Sequence, residues 1–194
     1  MLTTRASLLM RVRDPADERA WREFHRLYAS LLYHYARGRG LSHDDAEEIR
    51  DECFTVLTRT IPKFQYDRSR GRFKGWLQCV VDSKIADLRR KRRPQRADTQ
   101  QIADVPDPQP SPAEIWEQNW RREHLQSCLE QVENQVSDHD YRAFRLLIEA
   151  CPVLEICRRL GVNANQVYKA KSRILRLVAE AFAEYESIDV PGEQ

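Results

Sequence analysis

The sequence is short of several patterns that whole classes of protein require. It has 6 glycines in 194 residues and no glycine-rich phosphate loop, which argues against a nucleotide-binding fold. Its 5 cysteines are scattered and never in CxxC spacing, so we expect reduced core residues of a cytosolic protein. The histidines and cysteines have no metal-ligand spacing, and no Ser/His/Asp or paired-carboxylate arrangement is detectable. We therefore predict no metal, no cofactor and no catalysis.

Long hydrophobic runs and strand-like alternation are also missing. The apolar patch in residues 1–14 is far too short for a signal peptide or a membrane span, so we expect no membrane contact. Apolar residues recur instead at helical spacing along most of the chain. These patterns predict an all-α protein.

The charges are unevenly divided along the chain. The net charge is only +2, but residues 1–96 hold 22 Lys/Arg against 13 Asp/Glu, and residues 97–194 hold 10 against 17. A basic half of this kind favours a polyanionic partner.

The helix limits can be predicted from local signals. Asp14 followed by Pro15 is typical of a helix start, and that helix should end near Gly38. Ser42 with Asp45 predicts a capping box that opens the next helix.

The segment Gly71–Arg93 is the most informative one. It reads GRFKGWLQCVVDSKIADLRRKRR and predicts one helix with an apolar stripe, interrupted by Lys84, and a dense cluster of cations at its end. The stem of Lys84 could run past the stripe toward solvent. A buried stripe with a basic outer face suits binding of nucleic acid.

A proline-rich segment divides the chain. Residues 94–112 contain five of the nine prolines and almost no large apolar side chains, which indicates a linker. We predict two small helical domains, residues 1–94 and 113–187, joined by a linker at 95–112 and followed by a tail at 188–194. Helices in the second domain are expected at about 113–134, 138–150, 153–160 and 164–185. Trp116 and Trp120 should pack the first of these helices onto its own domain.

Residues 153–178 predict a helix-turn-helix motif. Gly161 suits the left-handed end of the first helix, and Asn163 with Gln166 suits a capping box for the second. No acidic residue occurs from Ile156 to Ala179, although this half of the chain is acidic. An ordinary helical hairpin with a solvated basic face is the alternative. Four polar side chains fall on the face opposite the apolar one, where they could reach bases and phosphates: Gln166, Lys169, Arg173 and Arg176.

Taken together, these motifs resemble the extracytoplasmic-function (group four) sigma factors of bacterial RNA polymerase. Three segments carry the resemblance: DAEEIRDECF from Asp45 to Phe54, the basic helix, and Ala143–Val178 with its Ala-Lys-Ser-Arg run. The resemblance spans roughly residues 15–95 and 113–185. It implies a protein that binds core RNA polymerase and directs promoter recognition and transcription initiation, without enzymatic activity of its own.

The resemblance also implies roles for particular residues. Four acidic residues would bind the clamp helices of the polymerase largest subunit: Asp45, Glu48, Asp51 and Glu52. Melting and reading of the −10 element would fall to Tyr66, Arg70, Arg72, Lys74, Ser83, Arg89, Arg90, Arg92 and Arg93. The −35 element would be read by Asn165, Gln166, Lys169, Lys171, Ser172, Arg173 and Arg176. For the acidic residues, a solvated helix face is the alternative. For the basic run at 89–93, the alternative is a frayed, solvated helix end.

The loop before the basic helix is a candidate base pocket under this resemblance. Phe64 and Tyr66 could stack on an unpaired base, and arginines around them, including Arg68, could hold phosphates. Core packing is the equally weighted alternative for Phe64.

Three positions depart from the family pattern. Ser83 stands where the family usually has Asn, and Asp82 precedes it where Arg is common. Ser is shorter than Asn and Asp repels phosphate, which bears on how the −10 element is read. Asp51 replaces a commoner Gln on the polymerase-facing helix.

Two other functions remain open on the sequence alone. A stand-alone helix-turn-helix transcriptional regulator would need residues 14–93 to supply dimerisation or effector binding. A helical bundle with incidental basic patches would leave the recognition-helix pattern unexplained. We expect a cytoplasmic protein whose partners are core RNA polymerase and promoter DNA. An anti-sigma factor is a further partner open to such a protein, and nothing in the sequence identifies one.

Overall fold

A computed structural model describes residues 5–63, 73–92 and 110–187. Helices dominate these ranges and no strand occurs in them, which confirms the all-α prediction. The helices are α1 (Arg5–Arg11), α2 (Glu18–Gly38), α3 (His43–Thr60), α4 (Phe73–Arg92), α5 (Pro112–Glu133), α6 (Asp138–Ile148), α7 (Val153–Leu160) and α8 (Ala164–Ser187). A short 3₁₀ turn, Ile61–Lys63, follows α3.

The chain forms two compact units, and the division between them falls between Glu123 and His124, inside α5. The first half of α5 thus belongs to the first unit and the second half to the second. The functional domains at 1–94 and 113–187 stay a prediction, because a compact unit and a functional domain need not share their limits.

The first unit is built around an aromatic core. Phe24 and Tyr28 of α2 meet Phe73 of α4, with ring centroids 6.1 and 5.4 Å apart respectively. Offset and edge contacts of this kind add to the free energy of burying the rings. The sequence patterns missed α1, which adds buried Leu8 and Val12 to the same core.

The start of α2 differs from the prediction at Asp14 and Pro15. The helix begins at Glu18, and the N-cap is Asp17, whose carboxylate accepts a hydrogen bond from the Ala20 amide at 2.9 Å. Arg11, the last residue of α1, also donates to that carboxylate at 2.9 Å. The guanidinium fixes Asp17 in the capping position, which explains why the helix starts there.

The predicted capping boxes are present where both partners are close in sequence. Ser42 accepts from the amide of Asp45 at 3.2 Å. Asn163 and Gln166 exchange two hydrogen bonds, each of 2.9 Å, at the start of α8. A third box opens α5, where the Ser111 amide donates to the Glu114 carboxylate at 2.7 Å. Each box satisfies amides that the first helical turn leaves without a partner.

The prediction for Trp116 and Trp120 is wrong. Both rings are buried in the core of the first unit, not in that of the second. Trp116 packs on Tyr35 with a centroid distance of 4.9 Å, and Trp120 packs on Tyr28 at 6.1 Å. The two tyrosines of α2 offer an aromatic surface that the spacing of the tryptophans within α5 could not reveal.

The second unit contains the helix-turn-helix. Gly161 ends α7 in the left-handed region, at φ 68° and ψ 32°, and its amide donates to the Cys157 carbonyl at 2.9 Å. Buried Ile156 of α7 packs with Val167 of α8, while Ile174 joins a second apolar cluster farther along α8. The motif therefore has the geometry that the sequence predicted.

Two glycines give opposite expectations for stability. A Cβ at Gly38 would lie 2.7 Å from the Ile115 methyl of α5, whereas a Cβ at Gly75 would meet nothing within 4 Å. We expect Gly38→Ala to lower the free energy of unfolding of the first unit, by about 1–2 kcal/mol, because overpacking outweighs the gain in helix propensity. Gly75→Ala should raise it by up to about 1 kcal/mol.

Tryptophan fluorescence during urea unfolding measures the stability of the two glycine variants, because all 4 tryptophans lie in the first unit. Equal midpoints for the two variants would contradict the close approach of α5 to Gly38.

Candidate nucleic-acid interface

Helix α4 positions the basic residues of the first unit. Leu77, Val81 and Ile85 are buried, as the stripe predicted, and anchor the helix on α2 and α3. Lys84 interrupts this stripe, and its ammonium reaches Glu52 of α3 at 3.3 Å. The residues between the buried positions are thereby held at the surface.

The arginines at the end of α4 have partners within the protein. Arg89 donates to the backbone carbonyl of Arg39 at 2.6 Å, and Arg90 pairs with Asp87 one turn earlier. Both side chains are exposed. Both are accessible to a DNA phosphate. Binding one would replace the internal hydrogen-bond acceptor of each arginine with a phosphate oxygen.

Arg92 binds Asp45 through both of its terminal nitrogens. One of these hydrogen bonds, from Arg92 Nη1 to Asp45 Oδ2, measures 2.6 Å, and the second joins Nη2 to Oδ1. Burial alone would raise the pKa of the Asp45 carboxyl, but hydrogen bonds from Ser42 and Arg92 outweigh it and hold that pKa below the ordinary 3.8. The pair ties the start of α3 to the end of α4.

The charge of Asp82 is balanced by a neighbouring arginine. Its carboxylate accepts a hydrogen bond from the Tyr35 hydroxyl at 2.8 Å and also binds the guanidinium of Arg39. Burial, with the bond to Asp82, raises the pKa of Tyr35, so the hydroxyl stays a donor at neutral pH. The expected repulsion of phosphate by Asp82 is therefore offset by Arg39. Ser83 next to it is exposed.

Lys74 at the start of α4 is largely covered. Its ammonium lies 2.6 Å from a Glu117 oxygen and 5.3 Å from the centroid of the Trp120 ring. The side chain is 19% exposed. Among the predicted −10 contacts within the described residues, Lys74 is thus held by α5, and Arg92 by α3.

The four predicted polymerase-binding carboxylates of α3 are in different environments. Glu48 and Asp51 are exposed, and Asp51 accepts from the neighbouring Arg50 at 2.8 Å. Glu52 is half-buried beside Lys84. Asp45 is 8% exposed and serves the internal pair with Arg92. Their polymerase-binding role stays a prediction, and the geometry favours Glu48 and Asp51 as the accessible members.

Part of the predicted −10 site lies outside the described residues. This applies to the candidate stacking residues of the loop and to four arginines near α4: Phe64, Tyr66, Arg68, Arg70, Arg72 and Arg93. The described part of the site is the face of α4 from Lys74 to Arg92.

The outer face of α8 carries the predicted −35 contacts. All seven are exposed: Asn165, Gln166, Lys169, Lys171, Ser172, Arg173 and Arg176. The Gln166 oxygen caps the helix start, and Arg173 lies 3.8 Å from Asp140 of α6. Arg176 binds Glu180 of the next turn at 2.8 Å. The helix thus presents amides and guanidinium groups in a row suited to the major groove.

Other kinds of site find no support in the part of the chain that the structure describes. No group of three or more potential metal ligands occurs there. The 5 cysteines are free thiols, and burial raises the pKa of Cys53 to about 12, which makes that thiol unreactive. Among the same residues, no helix combines the length and apolar character needed to cross a membrane.

Comparison with known proteins finds a family match within the first unit. Residues 24–95, which include α3 and α4, match the family described as Sigma-70 region 2.

A longer similarity covers most of the chain. Over 167 residues, 84% of the chain, it is 28% identical to the ECF RNA polymerase sigma factor SigE of Mycolicibacterium smegmatis. The chain covers 60% of the length of that relative.

The Asp45–Arg92 pair predicts a pH-dependent contribution to stability. Because the pKa of Asp45 is lowered on folding, its contribution is fully present above the unfolded value, near 3.8, and is lost as the pH falls through the folded value. At pH 7, Asp45→Asn should lower the free energy of unfolding by about 1–2 kcal/mol, a range that allows for the partial exposure of Arg92. The deficit should shrink as the pH falls below about 4.

Urea unfolding of Asp45→Asn and the unaltered chain at pH 7 and pH 3, followed by tryptophan fluorescence, measures this deficit at each pH. The control is Asp44→Asn, an exposed carboxylate in the same helical turn, whose loss removes only a helix-dipole contribution of a few tenths to about 1 kcal/mol. An Asp45→Asn deficit of equal size at both pH values would contradict the charged pair.

Proposed function

We propose that this protein is a sigma factor that binds core RNA polymerase and directs promoter recognition and transcription initiation. The observation that carries the proposal is the combination of a segment that matches Sigma-70 region 2 with a second unit whose helix-turn-helix exposes a basic face on α8, where no acidic residue occurs from Ala164 to Ala179. The similarity to a sigma factor across both units supports it. Its partners are core polymerase and promoter DNA, and its place of action is the cytoplasm.

Core binding is assigned to α3. Glu48 and Asp51 project from a helix that is anchored in the core through Ile49 and Cys53. Carboxylates on a rigid helix complement a basic surface of the polymerase clamp helices and raise the rate of productive encounter. The anchoring matters because it leaves little conformational entropy to lose on binding.

Reading of the −10 element is assigned to α4 and the loop before it. Separating a base from its stack costs a few kcal/mol, and stacking on an aromatic side chain returns about 1–3 kcal/mol per base. Tyr66, Arg70, Arg72 and Arg93 would contribute from outside the described residues. Among the described residues, five side chains of α4 would hold the DNA strand: Lys74, Ser83, Arg89, Arg90 and Arg92.

Reading of the −35 element is assigned to α8. Arg173 and Lys169 point away from the packed side of the helix, which is buried through Val167, Ala170 and Ile174. A bidentate side-chain contact to a base discriminates by about 1–3 kcal/mol. The protein would therefore supply specificity to the polymerase and perform no chemistry itself.

Binding to core polymerase tests the proposal. We expect the purified chain to form a stable complex with core enzyme, and Glu48→Lys to weaken it about tenfold, or about 1.4 kcal/mol, through like-charge repulsion. Glu133→Lys, an exposed charge reversal of the same size in the second unit, is the matched control.

Affinity is measured by titrating labelled core enzyme with each chain. Absence of core binding, combined with tight sequence-specific DNA binding by the chain alone, would contradict the proposal and favour a stand-alone transcriptional regulator.

A further inference from the structure

The first half of α5 lies on the same side of the first unit as the start of α4. Trp116 and Trp120 are only 2% and 8% exposed, because they pack on Tyr35 and Tyr28 of α2. Burying two tryptophan side chains removes a large apolar area from water, so this packing is favourable in the free protein.

The contact is close as well as apolar. Gly38 leaves room for Ile115, since a Cβ there would come within 2.7 Å of the Ile115 methyl. The Asn119 amide, one turn along α5, donates to the Ile115 carbonyl at 2.8 Å. A residue without a side chain at the end of α2 is therefore what allows α5 to approach.

Glu117, between the two tryptophans, meets Lys74. The Lys74 ammonium lies 2.6 Å from the Glu117 carboxylate and above the Trp120 ring. The hydrogen bond from Lys74 holds the pKa of Glu117 below its ordinary range, with Arg121 adding to the effect, so the carboxylate is charged at neutral pH. A carboxylate in this position offers Lys74 the same charge and acceptor oxygens as a DNA phosphate.

We propose that the first half of α5 is a cover over Lys74, in which Glu117 occupies the position of a DNA phosphate. The inference rests on the proposed function, which assigns Lys74 to the −10 strand. DNA uses Lys74 only after the Lys74–Glu117 pair has opened. The pair thus lowers the affinity of the free chain for single-stranded DNA.

The energies are compatible with such an exchange. A partly exposed ion pair is a weak interaction, so a phosphate can replace the carboxylate at small cost. The affinity of a site that is open only part of the time is reduced by the open fraction. Weakening the cover therefore raises the affinity, because Lys74 becomes free to contact a phosphate in more of the molecules.

A double-mutant cycle on the full chain tests the cover. The probe is a fluorescein-labelled 12-nucleotide single-stranded DNA, and binding is followed by anisotropy at several salt concentrations. We expect Glu117→Gln to tighten binding about 3- to 5-fold and to steepen the salt dependence by up to about 0.7 in the log–log slope, the value for one added phosphate contact. Lys74→Gln should weaken binding, and Lys74→Gln/Glu117→Gln should bind no better than Lys74→Gln.

Glu133→Gln is the matched control, with the same change of charge on the same helix but in the second unit. Equal affinities of Glu117→Gln and Glu133→Gln would overturn the cover, because the gain would then follow from net charge alone. A gain that persists when Lys74 is absent would overturn it too. Tryptophan fluorescence verifies that each variant remains folded.

Core polymerase binding, measured on the same preparations, separates this inference from the proposed function. If the chain binds core enzyme normally and Glu117→Gln leaves the affinity for single-stranded DNA unchanged, the cover is contradicted and the sigma function is not. Failure of the unaltered chain to bind core enzyme contradicts the sigma function itself, whatever the DNA measurements give.

Discussion

The structure of the first unit depends on the packing of α4 against α2 and α3. The buried stripe of Leu77, Val81 and Ile85 fixes the rotation of α4 about its axis, and this rotation decides which polar side chains meet internal partners and which face solvent. Asp82 reaches Tyr35 and Arg39, while Arg92 reaches Asp45, as consequences of that rotation. The hydrophobic contact places the helix, and the ion pairs then set its exact register against the neighbouring helices.

Charge counted along the sequence therefore overstates the charge that a ligand meets. The first 96 residues have a strong excess of Lys and Arg, yet Lys74, Arg39 and Arg92 are each bound to a carboxylate. Binding of a polyanion to such a surface is an exchange of acceptors rather than a simple neutralisation. The exchange favours ligands that offer several phosphates at once, because one phosphate gains little over one carboxylate.

The sequence was informative where the partners are near one another along the chain. The Asn163–Gln166 box, the left-handed Gly161, the limits of α7 and the start of α8 follow from local backbone chemistry, and the structure has them as predicted. The Asp45–Arg92 pair spans 47 residues, and the seating of Trp116 on Tyr35 depends on tertiary packing. Neither leaves a local signal. The start of α2 was misplaced for the same reason, because Arg11 of an unrecognised helix selects Asp17 as the cap.

The central proposal is that this chain gives RNA polymerase its choice of promoter. The most direct measurement is to transcribe fragmented genomic DNA of the source organism with core polymerase, with and without the chain, and to sequence the 5′ ends of the RNA. The account predicts a discrete set of new start sites that appear only with the chain and share two conserved elements upstream. The same distribution of 5′ ends in both reactions, with polymerase shown to be saturated by the chain, would contradict it.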